Sequence, residues 1–187
     1  MTLPEASRRI AASLAERLAG EGIVAVYCSP LERTRETAAP LGARLGVPVQ
    51  VRPEAVEVDY GDWTNRTVEE LRPLDLWSRY NVARSVTRIP GGETMVEVQA
   101  RMVGLLEALR AEHPSDRIAL VSHGDPIRSA IVFYLGMPLD LMQRIEVSPA
   151  SVSTLELNDW GARLVRLNER IAPSGRVTKN DRIAGQG

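Results

Sequence analysis

Cysteine and lysine are almost absent from this sequence. Their scarcity argues against a protein held by internal disulfides and against a basic, nucleic-acid-binding protein. The single cysteine, Cys28, cannot form an internal disulfide, so we expect a reducing compartment and, by default, the cytoplasm. Lys179 is the only lysine, and the arginines are scattered among acidic residues to give a net charge of −1. Because there is no basic stripe, we do not expect the protein to bind nucleic acid.

Signals for membranes, metals and nucleotide cofactors are also missing. The N-terminal residues show no basic-then-apolar signal pattern, and the most apolar helix candidate, near 127–135, is too short for a bilayer and carries Arg128. Two histidines and one cysteine at unrelated spacings do not make a typical metal site. No glycine-rich dinucleotide or P-loop pattern occurs. We therefore expect no membrane contact, no metal and no cofactor.

Helical periodicity and short β-branched runs alternate along the 187 residues. This alternation predicts an α/β domain of three layers, with helices on both faces of a mostly parallel sheet. We expect a single domain over residues 1–171 and a polar, flexible tail over 172–187. Helices are predicted at 4–18, 29–46, 94–112 and 126–135 with short pieces near 67–71 and 74–80, and strands at 23–28, 47–51, 117–122, 151–157 and 162–167.

Polar residues follow two of the predicted strands, at the edge of a parallel sheet where ligands bind. Ser29 and Arg33 stand at the start of the second helix, and His123-Gly124 stands at the start of a later one. A helix N-terminus offers free N–H donors, and an arginine fork suits phosphate, so a phosphate pocket is one interpretation. The other interpretation is that Arg33 forms an ion pair on a solvated helix face and that Ser29 is only a cap.

Two more residue types could carry acid–base chemistry. Histidine titrates near neutral pH, so His123 is a candidate catalytic group, although it could equally be a satisfied core residue. Glu57 lies in an acidic and aromatic loop, Glu57–Trp63, where a raised pKa would let it protonate a leaving oxygen; the alternative is a solvated turn. His113, at a helix end before a proline, is interpreted as a partner of the helix C-terminal dipole or as a plain surface residue.

Taken in order, these segments resemble the histidine phosphatase superfamily, which has a phosphoglycerate-mutase-like fold. The resemblance covers roughly residues 3–170, and five motifs in the same order are more specific than any one of them. The matching segments are Leu3-Pro-Glu before an Arg-rich helix, Tyr27-Cys-Ser-Pro-Leu-Glu-Arg-Thr-Arg-Glu-Thr-Ala38, Glu57-Val-Asp-Tyr-Gly-Asp-Trp63, Pro90-Gly-Gly-Glu-Thr94 and Val121-Ser-His-Gly124.

The resemblance implies a chemistry without metal or cofactor. In this family a histidine in an Arg-His-Gly motif attacks phosphorus and forms a phosphohistidine, while a glutamate protonates the departing alkoxide. By this likeness Arg33 binds phosphate, Glu57 is the general acid and His123 is the second histidine, which stabilises the transferring group together with Ser29 and Gly124. The implied ligand is a small phosphorylated metabolite, and a homodimer is among the oligomeric states left open.

This sequence departs from the family in one respect, because it contains no Arg-His-Gly. The first strand and its nucleophile are missing from the matching region. We expect that strand to belong between the strands ending at Cys28 and at Ser122. Its absence would then leave those two strands about 10 Å apart instead of the ~4.8 Å of paired neighbours.

Three explanations of the departure lead to different functions. The gene start is set too far downstream or the chain is trimmed; the protein is a non-catalytic relative that binds phosphorylated ligands or a protein partner; or a segment of another chain fills the gap. We favour the first, because Arg33, Glu57 and His123 all stand where catalysis requires them. The predicted function is a phosphomonoester phosphatase, with a pseudoenzyme and a phosphomutase as alternatives.

Overall fold

The computed structural model describes residues 4–170. Six α-helices and five β-strands make up the regular structure of this part of the chain, with 3₁₀ turns at Pro53–Ala55, Gly61–Trp63 and Leu139–Arg144. The predicted tail, 172–187, lies outside the described residues. In chain order the elements are α1 Glu5–Leu18, β1 Ile23–Cys28, α2 Glu32–Leu45, β2 Val49–Val51, α3 Val68–Leu71, α4 Asp75–Val82, α5 Met95–Glu112, β3 Arg117–Val121, α6 Gly124–Tyr134, β4 Val152–Asn158 and β5 Gly161–Glu169.

A parallel three-stranded sheet forms the centre of the fold, in the order β2–β1–β3. The mixed α/β architecture predicted from the alternation of helices and strands is confirmed. The expected gap between β1 and β3 is wrong, since the two strands pair directly, with Val26 opposite Ala119 and Cys28 opposite Val121. Direct pairing satisfies the backbone N–H and C=O groups that a gap would have left exposed.

The last two strands form a separate sheet. β4 and β5 pair antiparallel, and the register from Asn158 opposite Gly161 leaves a two-residue turn where a four-residue one was predicted. Within residues 4–170, β3 is therefore an edge strand of the parallel sheet. β1 and β3 belong to the same sheet, and β4 and β5 form the other.

Alternation along β1 sends side chains into two different cores. Val26 and Cys28 pack with α1 and α2, whose buried residues include Leu14 and Leu41. Ala25 and Tyr27 point to the other face and pack with residues of α5 and α6 such as Met102, Leu105, Leu109 and Ala130. Helices thus cover both faces of the sheet, as the sequence predicted.

A third core lies under the region between β2 and α5. Trp63 and Tyr80 are almost fully buried, and their rings meet edge to face, with centroids 5.4 Å apart. Trp77 stacks on the same cluster, which continues into Ile131 and Met142. This core supports a segment that has little regular structure of its own, including the loop from Glu57 to Trp63.

Two predicted helix starts are shifted. α2 begins at Glu32, with Leu31 as its cap, because the extended backbone of Leu31 precedes the first helical turn. α6 begins at Gly124, two residues before the predicted start, and His123 is its N-cap. Gly124 and Asp125 therefore belong to the first turn of the helix and not to the loop before it.

Candidate active site

Arg33 lies in the first turn of α2, where the end of β1 delivers it. The turn is fixed by Thr34, whose hydroxyl donates to the carbonyls of Ser29 (3.0 Å) and Leu31 (2.7 Å). Half of the Arg33 side chain is exposed, and its Nη2 lies 3.0 Å from Nδ1 of His123. The guanidinium therefore reaches the end of β3 while keeping free donors for a ligand.

His123 follows β3 and is almost completely buried. Its Nε2 lies 2.8 Å from the hydroxyl of Ser29. Because a guanidinium can only donate, Nδ1 accepts from Arg33, and Nε2 carries the hydrogen that it donates to Ser29. Burial, followed by the positive charges of Arg33 and Arg101, lowers the pKa of His123 to about 4. The imidazole is therefore neutral near pH 7.

Glu57 completes the group from a different part of the chain. Its Oε2 lies 4.0 Å from Nη2 of Arg33 and 3.9 Å from Nδ1 of His123, and its Oε1 accepts from the amide of Val58 at 3.0 Å. Burial is the main effect that raises the pKa of Glu57, and the negative charge of Asp125 adds to it. A carboxyl that retains its proton can serve as a general acid.

Ser29 and Gly124 differ in how they could contact a bound anion. Ser29 has no exposed surface, so it can reach an anion only through the imidazole of His123. Gly124 is the first residue of α6, and its amide is among the N–H groups that have no partner within the helix. The contacts predicted between these two residues and phosphate remain predictions.

A buried network of hydrogen bonds surrounds Asp125, a residue that the sequence did not single out. Its Oδ2 accepts from Nη1 of Arg84 at 2.8 Å and from the hydroxyl of Tyr60 at 3.4 Å, and its Oδ1 accepts from Nη1 of Arg128 at 2.9 Å. Tyr60 belongs to the loop of Glu57, so the network connects that loop to the helix of His123. The only signal in the sequence was an acidic residue directly after His123-Gly124.

His113 lies elsewhere, at the C-terminal end of α5. Its Nε2 lies 2.8 Å from the hydroxyl of Tyr27, and its Nδ1 lies 3.1 Å from a carboxylate oxygen of Asp116. Residues 4–170 contain no cluster of three or more His, Cys, Asp or Glu side chains that could hold a metal ion. No helix in that range is long and apolar enough to cross a bilayer.

Comparison with known proteins identifies the family of the chain. The family model described as histidine phosphatase superfamily (branch 1) matches residues 1–170. Phosphoserine phosphatase 1 of Hydrogenobacter thermophilus is 29% identical over 169 residues, which cover 89% of this chain and 80% of the relative. "Probable phosphoglycerate mutase GpmB" of Cronobacter sakazakii is 33% identical over 156 residues, covering 82% and 73% of the two chains.

Solved structures give the same fold. A mycobacterial glucosyl-3-phosphoglycerate phosphatase superposes with a TM-score of 0.81 at 26% identity, over 90% of this chain and 88% of that chain. The α-ribazole phosphatase of Shigella flexneri superposes with a TM-score of 0.80 at 25% identity, over 93% and 87%. The similarity therefore extends over most of both chains in each case.

Proposed function

This chain belongs to the histidine phosphatase superfamily, and we propose that it hydrolyses phosphomonoesters of small metabolites through a phosphohistidine intermediate. The observation that carries the proposal is the convergence of Arg33, Glu57 and His123, whose polar atoms lie within 4.0 Å of one another although they come from three distant segments. The names of the relatives support phosphate-ester chemistry as the class of reaction.

The phosphoryl oxygens bind where positive charge and free N–H groups meet. Arg33 supplies a charged fork, and the N-terminus of α6 supplies backbone donors beside His123. His123 is neutral, so it contributes a hydrogen bond and not a charge. To donate from Nδ1 to a phosphoryl oxygen, the neutral ring changes tautomer by exchange with water: Nε2 gives up its proton and Nδ1 gains one. Arg33 then turns from Nδ1 to the phosphoryl group, and the hydroxyl of Ser29 donates to Nε2 instead of accepting from it.

The reaction proceeds in two displacements. A histidine nucleophile attacks phosphorus, the bond from phosphorus to the ester oxygen breaks, and Glu57 gives its proton to the departing oxygen. Water then attacks the phosphohistidine, Glu57 takes a proton from that water, and inorganic phosphate leaves as the bond to histidine breaks. The resemblance places the nucleophile in an Arg-His-Gly segment that this sequence does not contain. Its strand would have to separate β1 from β3, which pair directly in the 187-residue chain.

The test is a phosphate-release assay on the chain fitted with an N-terminal segment that carries Arg-His-Gly, called here the extended form. The panel of phosphomonoesters includes phosphoserine, α-ribazole phosphate and phosphoglycerates, to which the names of the relatives point. Release from at least one of them, with acid-labile phosphate on the protein, is expected. If no ester on the panel is hydrolysed, the proposal fails.

A second function, binding without catalysis, is favoured by a separate observation. The groups proposed to bind the anion, Arg33, His123 and the N-terminus of α6, lie together in the chain of 187 residues, which contains no Arg-His-Gly. Phosphate that binds the folded chain raises its unfolding temperature by mass action. Stabilisation by phosphate of a natural protein that begins at Met1 would support this function, and no shift at millimolar phosphate would count against it.

A phosphomutase uses the same first step, so the product decides between the two activities. A mutase returns the phosphoryl group to the substrate, whereas a phosphatase transfers it to water. We expect inorganic phosphate to be the main product of the extended form. Isomerised ester in excess of inorganic phosphate would identify a mutase.

A further inference from the structure

The backbone around Glu57 has almost no regular structure. Glu57 lies between the 3₁₀ turns Pro53–Ala55 and Gly61–Trp63, outside every helix and strand. A segment without helix or strand hydrogen bonds needs other partners to hold it in place. The position of the Glu57 carboxyl therefore depends on the side chains that bind this segment.

The guanidinium of Arg101, on α5, binds the backbone of this segment and the side chain of Glu93. Its Nη1 donates to the carbonyls of Glu54 (2.6 Å) and Val56 (2.7 Å), and its Nη2 donates to the carbonyl of Glu57 (3.1 Å). Its Nε and Nη2 also donate to the two carboxylate oxygens of Glu93, at 2.9 and 3.0 Å. A guanidinium has five N–H groups, and these five hydrogen bonds use them all.

Glu93 binds the chain on the other side of Glu57. One of its carboxylate oxygens accepts from the amide of Asp59 at 2.9 Å, and its own amide donates to the carbonyl of Asp59 at 3.0 Å. The side chains of Arg101 and Glu93 are only 17% and 23% exposed, so water and salt screen the pair less than they would a surface pair. The two residues thus hold the backbone both before and after Glu57.

Direct contact between backbones strengthens this support. The amide of Asp62 donates to the carbonyl of Pro90 at 2.9 Å. A Cβ at Gly61, which has a φ of +43°, would lie 2.2 Å from the carbonyl oxygen of Pro90, and a Cβ at Gly92 would lie 2.3 Å from that of Asp59. Gly61 of the Glu57–Trp63 segment and Gly92 of the Pro90–Thr94 segment therefore allow the two segments to touch.

We propose that Arg101 is a positioning residue for the general acid. Together with Glu93 it fixes the backbone on both sides of Glu57 and so directs the carboxyl toward Arg33 and His123. This inference rests on the role proposed for Glu57. Lysine cannot replace Arg101, because an ammonium has three N–H groups on a single atom and lacks the planar fork that reaches three carbonyls and a carboxylate.

The first test compares two kinds of ester in the extended form. Phosphoserine needs a proton on its departing oxygen, whereas 4-nitrophenyl phosphate releases a weakly basic phenolate without one. Arg101→Lys is expected to lower kcat for phosphoserine by about 10²-fold and to lower kcat for the nitrophenyl ester much less. Adding Glu57→Gln to it should cause no further loss beyond that of Glu57→Gln alone. Equal losses on both esters, or losses that multiply in the double variant, would overturn the inference.

The second test needs no turnover, so it separates this inference from the proposed function. The carboxyl of Glu57 is titrated by NMR with ¹³C-labelled glutamate in the 187-residue chain. Arg101→Lys keeps the positive charge but releases the loop, so the raised pKa of Glu57 is expected to move toward its ordinary value as the carboxyl meets water. A titration identical to that of the wild type would overturn the inference, whether or not the extended form is active.

Arg110→Lys is the matched control, since Arg110 lies on the same helix and pairs with Glu107 and Asp159, away from the loop. It should leave both the titration of Glu57 and the ratio of kcat values for the two esters unchanged.

If Arg101→Lys does not fold, Glu93→Gln tests the same support, because it keeps an acceptor for Arg101 but removes the negative charge. It should shift both readouts in the same direction by a smaller amount, and no shift would overturn the inference.

Discussion

The two halves of the site are held in different ways. The half of the site proposed to bind the anion, called here the anion-binding half, is formed by Ser29, Arg33 and His123 and stands where β1 and β3 end and where α2 and α6 begin. The half proposed to supply the acid, called here the acid half, is formed by Glu57 and its loop. It stands on no helix or strand and is held by Arg101 from α5 and by Glu93, which precedes that helix. Backbone hydrogen bonds position the first half, whereas side chains distant in sequence position the second.

Burial moves the pKa values of the two halves in opposite directions, and each shift favours the uncharged form of its group. It lowers the pKa of His123 to about 4 and raises the pKa of Glu57, because each group loses hydration of its charged form. The anion-binding half therefore depends on Arg33 for charge, and the acid half depends on a retained proton. A substitution of Glu57 should consequently leave phosphate binding intact, and a substitution of Arg33 should leave proton donation by Glu57 intact.

The largest expected effect comes from the acid half. Glu57→Gln in the extended form should lower kcat for phosphoserine by about 10²–10⁴-fold, because the departing oxygen loses its proton donor. The nitrophenyl ester should lose much less, and phosphate should stabilise the variant against heat as it does the wild type. Steady-state kinetics and thermal unfolding check both halves at once. Loss of phosphate stabilisation would mean that the two halves are not separable.

The anion-binding half should respond in the converse way. Arg33→Met is expected to abolish stabilisation by phosphate and to lower kcat/KM by about 10²–10³-fold for both esters, since the charge acts on the phosphoryl group and not on the leaving oxygen. The measurement is the shift in unfolding temperature with added phosphate. Arg35→Met, on the same helix, is the control, and a phosphate response of Arg33→Met equal to that of Arg35→Met would contradict the assignment.

The dependence of stability on pH distinguishes the two halves by sign. For His123 the pKa in the folded state, about 4, lies below its ordinary value, so the unfolded chain takes up the proton first. Stability is then lost as pH falls from about 6.5 to 4, by at most about 1.4 kcal/mol per pH unit. For Glu57 the pKa is higher in the folded state than its ordinary value of 4.5. Stability is therefore lost as pH rises from that ordinary value through the raised one. Urea unfolding of His123→Asn and Glu57→Gln should remove these opposite slopes, and slopes of one sign would refute the account.

The smallest expected effect concerns the support of His123. Ser29→Ala removes a buried hydrogen bond and should lower the free energy of unfolding by about 1 kcal/mol, with weaker phosphate binding because Nε2 loses its partner. Ser129→Ala is the matched control, since its buried hydroxyl donates to the carbonyl of Pro126 instead. Both variants should lose similar stability, but only Ser29→Ala should bind phosphate less well. Equal phosphate binding in the two variants would remove the supporting role from Ser29.

The anion-binding half was predictable because its signals are local. An apolar run that stops at a serine or histidine and is followed by a helix start predicts the strand, the turn and the helix from neighbouring residues. The start of α6 was placed two residues late, so the place of Asp125 in the first turn, and its pairs with Arg84 and Arg128, were not anticipated.

The sequence alone was enough to establish the family and the order of helices and strands, because periodicity and motif order are properties of the chain itself. It also singled out Arg33, Glu57 and His123 as a cationic, an acidic and an imidazole candidate for the site. The tertiary structure decided that β1 pairs with β3, that Arg101 and Glu93 hold the loop of Glu57, and that Asp125 joins this loop to α6. These are hydrogen bonds between residues far apart in sequence. A strand pattern does not specify its neighbour, and an arginine does not specify its acceptors, until packing of the whole domain brings them together.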